Sequence, residues 1–149
     1  MILLCGPPYT LKDEFAALFK AKRPIDTVHL FGGYDYFSTE KMFDPSKMKI
    51  AHQRCQGNAR RVFLESPKTD DIVIVNNTFC KSEHIGYFDE FKVPFVLVKF
   101  QAENAQQVSS LATFNKDVPE YVFHACQDTM NDVNVQSFCN VRAVFTLKL

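Results

Sequence analysis

The chain has 149 residues, long enough for one domain with its own core. Its 17 basic and 17 acidic side chains cancel, so no bulk field advertises nucleic acid or an anionic membrane as a partner. No apolar run approaches the roughly 18 residues of a membrane span, and Met1-Ile-Leu-Leu-Cys5 lacks the basic stretch and length of a secretory signal. The cysteines at 5, 55, 80, 126 and 139 are odd in number and widely spread. They read as reduced thiols of a cytoplasmic, or nuclear, protein rather than as a disulfide frame. With 15 Phe and no Trp, most aromatic rings are expected in the core, and an exposed cluster would mark a protein interface.

Residues 2–5 form an apolar run suited to a short buried strand. Gly6-Pro7-Pro8 breaks it, and Phe15, Ala16, Leu18 and Phe19 then recur at helical spacing. A strand, a Gly-led loop holding a lysine, then a helix is how a phosphate-binding loop is built. In G-x-x-x-x-G-K-[S/T] the backbone N–H groups cradle phosphates and the hydroxyl holds Mg²⁺. Here Gly6 and Lys12 fit the pattern, while Leu11 and Asp13 stand where the second Gly and the hydroxyl belong.

Arg23-Pro24 closes the first helix, and residues 27–31 form a second candidate strand. Gly32-Gly33 ends it and delivers Tyr34, Asp35, Tyr36 and Phe37 to its C-terminal edge. Asp44-Pro45-Ser46 is a helix-start signal opening the longest helix, to about Leu64. Met48, Ala51, Cys55, Ala59, Val62 and Phe63 make its apolar stripe, and Arg54, Arg60 and Arg61 lie off it on about one face. The β-branched run 72–75 reads as a central parallel strand, ended by Asn76-Asn77-Thr78. Ser82 is placed to cap a short helix to about Phe91, and 93–100 is a fourth strand. Residues 105–114 and 119–130 look helical, 131–140 is polar and loop-like, and 141–147 supplies a last strand. This alternation predicts an α/β three-layer sandwich with a mainly parallel sheet, spanning 1–149 as one domain.

The strand ends, taken together, resemble the polynucleotide 5′-hydroxyl-kinase branch of the P-loop kinases. Its members read roughly G-x-P-G-S-G-K-S, T-D-D-Y-F, F-D-P-x-x-L-x-x-A-H and V-I-V-D-N-T-N. In the same order this chain has Gly6 to Asp13, Gly33-Tyr-Asp-Tyr-Phe37, Phe43-Asp-Pro-Ser-Lys-Met-Lys-Ile-Ala-His52 and Val73-Ile-Val-Asn-Asn-Thr-Phe79. Leu111 to Pro119 is a weaker echo of the family's lid, L-x-R-R-N, making 105–130 a lid-like helical segment. The likeness covers about residues 1 to 130 and implies a P-loop kinase-like fold. The departures fall where the chemistry would be. The loop glycines become Tyr9 and Leu11, the Mg²⁺-binding hydroxyl becomes Asp13, and the first acid of D-D becomes Tyr34, leaving Asp35. The acid ending the third strand becomes Asn76, and the lid arginines become Thr113 and Phe114. Phosphoryl transfer is almost wholly positioning and charge stabilisation, so these losses strike at most of what it needs.

Read physically, Thr10-Leu11-Lys12-Asp13 is a capping box. Thr10 accepts from the Asp13 N–H, the Asp13 carboxylate sits at the positive end of the helix, and Pro7 and Pro8 remove two N–H groups. Lys12 is then an ordinary first-turn lysine paired with Asp35 or Asp13. On that reading the protein is a degenerate pseudoenzyme without a cofactor, an interaction or regulatory module for a protein partner or a second copy. The alternative is an active or weakly active kinase using ATP and Mg²⁺. Its loop is Gly6, Thr10, Lys12 and Asp13, with Lys12 on the phosphates, Asp13 holding Mg²⁺ and Asp35 as general base. Arg54, Arg60 or Arg61 then replaces the lid arginines. A third reading is nucleic-acid binding without catalysis, through Asn76, Asn77 and Thr78 at the sheet edge together with the three arginines. Cys80, His84, His124 and Cys126 lack any familiar zinc spacing, and His52 reads as a packed or helix-surface histidine rather than a catalytic one. Tyr34, Tyr36, Phe37 and Phe43 read as a packed turn more readily than as a base-stacking platform.

Overall fold

The computed structural model describes residues 1–23, 27–40, 44–65, 71–113 and 118–149; Pro24, Phe43 and Phe114, named above, lie outside them. Among the described residues, β1 (Ile2–Cys5), β2 (Val28–Gly32), β3 (Ile72–Asn76), β4 (Phe95–Gln101) and β5 (Val141–Lys148) form one five-stranded sheet. Its order is β2-β3-β1-β4-β5 and every pairing is parallel. The helices are α1 (Lys12–Ala21), α2 (Asp35–Glu40), α3 (Met48–Glu65), α4 (Ser82–Glu90), α5 (Ala105–Thr113) and α6 (Glu120–Asn131).

The inner strands β1, β3 and β4 read as apolar runs because both of their faces are covered, whereas the edge strand β5 is largely exposed. Successive side chains alternate between faces, which divides β1 between two cores. Leu4, with Ile74, Val98 and Phe100, lies against Ala16, Phe15 and Phe19 of α1. Leu3 and Cys5, with Val73, Val75 and Leu97, pack against Cys55 and Ala59 of α3, Ile85 and Phe88 of α4, and Met130 of α6. The chain is therefore α/β, with helices on both sides of an all-parallel sheet. Val108 of α5 and Phe123 of α6 join Ala102 and Val118 in a third cluster that fastens those two helices to each other. No helix among the described residues is long and apolar enough to cross a membrane.

One local expectation gains detail and two need correction. The helix-start signal at Asp44 holds a 3-10 turn, Pro45–Lys47, before α3 begins; the Asp44 carboxylate accepts from the Ser46 N–H at 2.9 Å and the Ser46 hydroxyl at 2.7 Å. Ser82 is not a cap: it is the first residue of α4, whose N-cap is Lys81 with no side-chain hydrogen bond. The cysteines are not all free thiols. Cys80 and Cys126 are joined as a disulfide, with Cα atoms 5.3 Å apart across a sequence separation of 46, while Cys5, Cys55 and Cys139 are free. Spacing along the chain carries no sign of that pairing, because folding alone brings the β3–α4 loop against α6.

Candidate functional site

A parallel sheet delivers the loops after its strands to one edge, and this edge carries a cleft. The register aligns Leu4 of β1 and Gly32 of β2 with Asn76 of β3, so the residues that follow these positions converge. The cleft, about 210 Å³, is lined by Lys12, Asp13, Asp35, Asn76, Asn77 and Thr78, with Pro8, Tyr9 and Tyr34 around them. Fold topology thus gathers six residues singled out from three separate stretches of sequence.

The loop after β1 begins at Gly6, whose N–H donates to the Thr78 carbonyl at 2.9 Å. Gly6 has φ 154°, and a Cβ there would stand 2.6 Å from the Phe100 carbonyl oxygen. Farther along, Tyr9 (φ 59°) and Leu11 (φ 58°) both adopt the left-handed conformation, at the two positions where the family pattern has glycine. A side chain in that region costs about 1–2 kcal/mol per residue. Tyr9 is held there by its ring, 6.5 Å from that of Phe123 on α6. Leu11 is 55% exposed, with little packing to offset the strain. Leu11→Gly is therefore expected to raise stability by about 1 kcal/mol, or Tm by roughly 2–4 °C, where Leu11→Ala gives no gain. Paired thermal melts decide it, and equal melting of Leu11→Gly and the parent would show that the loop is unstrained.

The left-handed turn at Leu11 also dismantles the expected capping box. Leu11 itself is the N-cap of α1 and makes no side-chain cap. Thr10, displaced beneath the loop, donates its hydroxyl to the Pro7 carbonyl at 2.8 Å. The Asp13 carboxylate, instead of closing the helix start, accepts from the Asn76 side-chain amide at 2.5 Å. Lys12 is not an ordinary surface lysine: it is only 7% exposed. Its ammonium donates to the Gly6 carbonyl at 2.9 Å, to the Thr10 hydroxyl at 3.1 Å and to the Pro7 carbonyl. Burial pulls its pKa from 10.5 down to about 8, against the opposing pull of the Cys5, Asp13 and Glu14 charges.

Asp35 opens α2, a helix that sequence periodicity did not reveal, and its carboxylate accepts from the Gly32 N–H at 2.7 Å. Asn77 is buried and structural. Its side-chain oxygen accepts from the Thr78 N–H at 3.0 Å, its own N–H donates to Leu4 at 3.3 Å, and a Cβ on Gly33 would come within 2.9 Å of that oxygen. The polar turn after β3 thus serves first to hold the strand ends together.

The three arginines of α3 each have a different neighbour. Arg54 lies over the Tyr36 ring at 5.7 Å and shares a depression with Asp35. Arg60 turns the other way, 3.7 Å above Phe91, and Arg61 pairs with Glu65 at 3.6 Å. Each residue advances about 100° around a helix, so neighbours 60 and 61 diverge once tertiary packing claims one of them.

Tyr34, which the sequence delivers to the C-terminal edge of β2, stands at the cleft with its hydroxyl pKa raised to about 12, chiefly by burial and then by the nearby Tyr9 and Asp13 charges. One feature escaped the sequence. Beside the first cleft, and sharing Pro8, Tyr34 and Thr78 with it, lies an apolar one of about 340 Å³ walled by Met48, His84 and Tyr121. Behind it the His52 and His84 rings meet edge-on at 5.5 Å, and burial, then His84, lowers the His52 pKa to about 4. Among the described residues no three His, Cys, Asp or Glu side chains converge to hold a metal. A cation beside Asp13 would therefore take most of its ligands from phosphate and water, as Mg²⁺ commonly does.

No protein-family description matches the chain, and no curated protein matches it significantly in sequence.

Proposed function

We propose that the chain is a degenerate P-loop kinase-like protein, a pseudoenzyme that works by contact, as an interaction or regulatory module, rather than by phosphoryl transfer. The fold assignment draws support from the central place of β1, which sets its Gly-led loop at the sheet edge where open α/β sheets take ligands. The left-handed turns at residues 9 and 11 support it too, because they retain a glycine-loop course after the glycines are gone.

The observation that carries the loss of catalysis is the ammonium of Lys12. Its hydrogen bonds go to the loop's own carbonyls and to Thr10, and reaching a phosphate would break them in a buried setting. No arginine occurs anywhere in 105–131, so the lid-like segment supplies no guanidinium to a transferring phosphoryl group. Contact function draws support from Phe145 (57% exposed) and Leu147 (40% exposed), two large apolar side chains on the edge strand β5.

A second reading, a weakly active ATP·Mg²⁺-dependent 5′-hydroxyl kinase, is favoured by one specific observation. Because the capping box is absent, the start of α1 has no side-chain cap to compete with an anion. One experiment separates the two. The pseudoenzyme transfers no labelled phosphate from ATP to a 5′-hydroxyl oligonucleotide, and its melting point stays put in millimolar ATP or ADP with Mg²⁺. A bound nucleotide at a hundred times its Kd would add about 2.7 kcal/mol. Transfer that disappears in Asp35→Asn would sink the pseudoenzyme and install the kinase.

A further inference from the structure

Five cysteines fall into three chemical situations, and one of them is a site. Cys5 and Cys55 are sealed in the core, where burial pushes each thiol up to about 12 and leaves almost no thiolate at neutral pH. Cys139 is exposed on the segment entering β5. Cys80 and Cys126, each 7% exposed, differ by facing each other in the wall of the apolar cleft, with a Cα separation of 5.3 Å that needs no backbone movement to form or break a bridge. We propose that Cys80 and Cys126 are a reversible thiol–disulfide exchange site, through which a small-molecule disulfide fastens α6 to the loop that holds Gly6.

The position of the bridge gives it leverage on the first cleft. Cys80 ends a segment whose Asn76 amide binds Asp13 and whose Thr78 carbonyl holds the Gly6 N–H. Cys126 belongs to α6, which presents Phe123 to Tyr9 in the same Gly-led loop. The bridge therefore closes a ring of contacts: from the loop through Thr78 to Cys80, across to Cys126, and along α6 through Phe123 back to the loop. With the bridge cut, α6 loses its covalent tie to that loop and keeps the Tyr9–Phe123 ring contact. The helix itself stays anchored, because Met130 remains in the sheet core and the Gln127 side chain still accepts from the Ala102 N–H at 3.3 Å.

The exchange balances with glutathione as the partner. One protein thiolate attacks oxidised glutathione, breaking its S–S bond, forming a mixed disulfide and releasing one glutathione thiolate. The second protein thiolate attacks the protein sulfur of that mixed disulfide and expels the other glutathione. Two protein thiols are oxidised, one glutathione disulfide is reduced to two thiols, and the two protons pass to the released thiolates.

The test uses the full chain carrying Cys139→Ser, which removes the exposed competitor. After equilibration with oxidised glutathione, peptide mass analysis is expected to find Cys80 linked to Cys126, with both thiols recovered on reduction by a phosphine. Reduction is expected to lower Tm by roughly 10 °C and to speed amide hydrogen exchange about tenfold in residues 6–13 and in α6. In Cys80→Ser/Cys126→Ser neither quantity responds to the redox buffer; should that variant fail to fold, Cys126→Ser alone, which also cannot close the bridge, serves as the control. The proposal falls if glutathione adducts accumulate without an internal bridge, if both thiols stay open to alkylation, or if the oxidised and reduced forms melt and exchange alike.

Discussion

Between pH 9 and pH 12 the protein is expected to lose most of its stability. The cause is the pair of sealed thiols. Cys5 is wholly buried and Cys55 is 5% exposed, and burial raises both from 9.0 to about 12. Above pH 9 the unfolded chain releases these protons while the folded one keeps them, so the unfolded state binds fewer protons and stability falls with rising pH. Three pH units at about 1.4 kcal/mol each amount to about 4 kcal/mol per thiol by pH 12, against a total of about 5–15 kcal/mol for a domain. Tyr34, raised from 10.0 to about 12, pulls the same way above pH 10. Lys12 opposes them. Its folded pKa, about 8, lies below its free value of 10.5, so the unfolded chain holds that proton longer and stability rises between those limits, by at most about 3 kcal/mol. The profile therefore rises by about 1 kcal/mol from pH 8 to a maximum near pH 9 and then falls, most steeply above about pH 10.5. Urea unfolding across this range checks it: Lys12→Met should remove the rise, and Cys5→Ala with Cys55→Ala should flatten the fall. A parent protein equally stable at pH 8 and pH 12 would mean that these thiols are not sealed.

Gly6→Ala is expected to cost about 4 kcal/mol. The added methyl would lie 2.6 Å from the Phe100 carbonyl oxygen and 3.0 Å from both the Phe100 Cβ and the Thr10 hydroxyl. Phe100 belongs to β4, which pairs directly with β1, so the obstacle is backbone and yields only by opening the sheet. Overpacking of about 1–3 kcal/mol adds to strain of about 1–3 kcal/mol at φ 154°. Gly57→Ala is the matched control. Gly57 lies inside α3, and nothing stands within 4 Å of a Cβ built there. That change should stabilise by about 0.5–1 kcal/mol. Urea midpoints moving in opposite directions support the close-approach argument, and a harmless Gly6→Ala removes it.

How far the site could be read in advance follows from the range of each interaction. The alternation of β-branched runs with helical stripes places every strand to within a few residues, because burial on both faces writes itself into the local pattern. Once the sheet is known to be parallel, the convergence of Lys12, Asp35 and Asn76 follows, since a parallel sheet sends each following loop to one edge. Thr10 departs from the local expectation for a different reason. A capping box is the cheapest local solution for that tetrapeptide, but the contact of Tyr9 with Phe123, more than a hundred residues on, helps hold a left-handed course that moves the helix start to Leu11. Arg60 departs from it in the same way, its guanidinium claimed by Phe91 of another segment.

By itself the sequence determined the α/β layering and the edge on which a site would form, because strand and helix patterns arise from neighbours within a few residues. The tertiary structure alone decided that Lys12 faces inward, that the arginines part company and that Cys80 meets Cys126. Each of these rests on a contact between segments far apart in the chain, where side-chain shape and burial outweigh local preference.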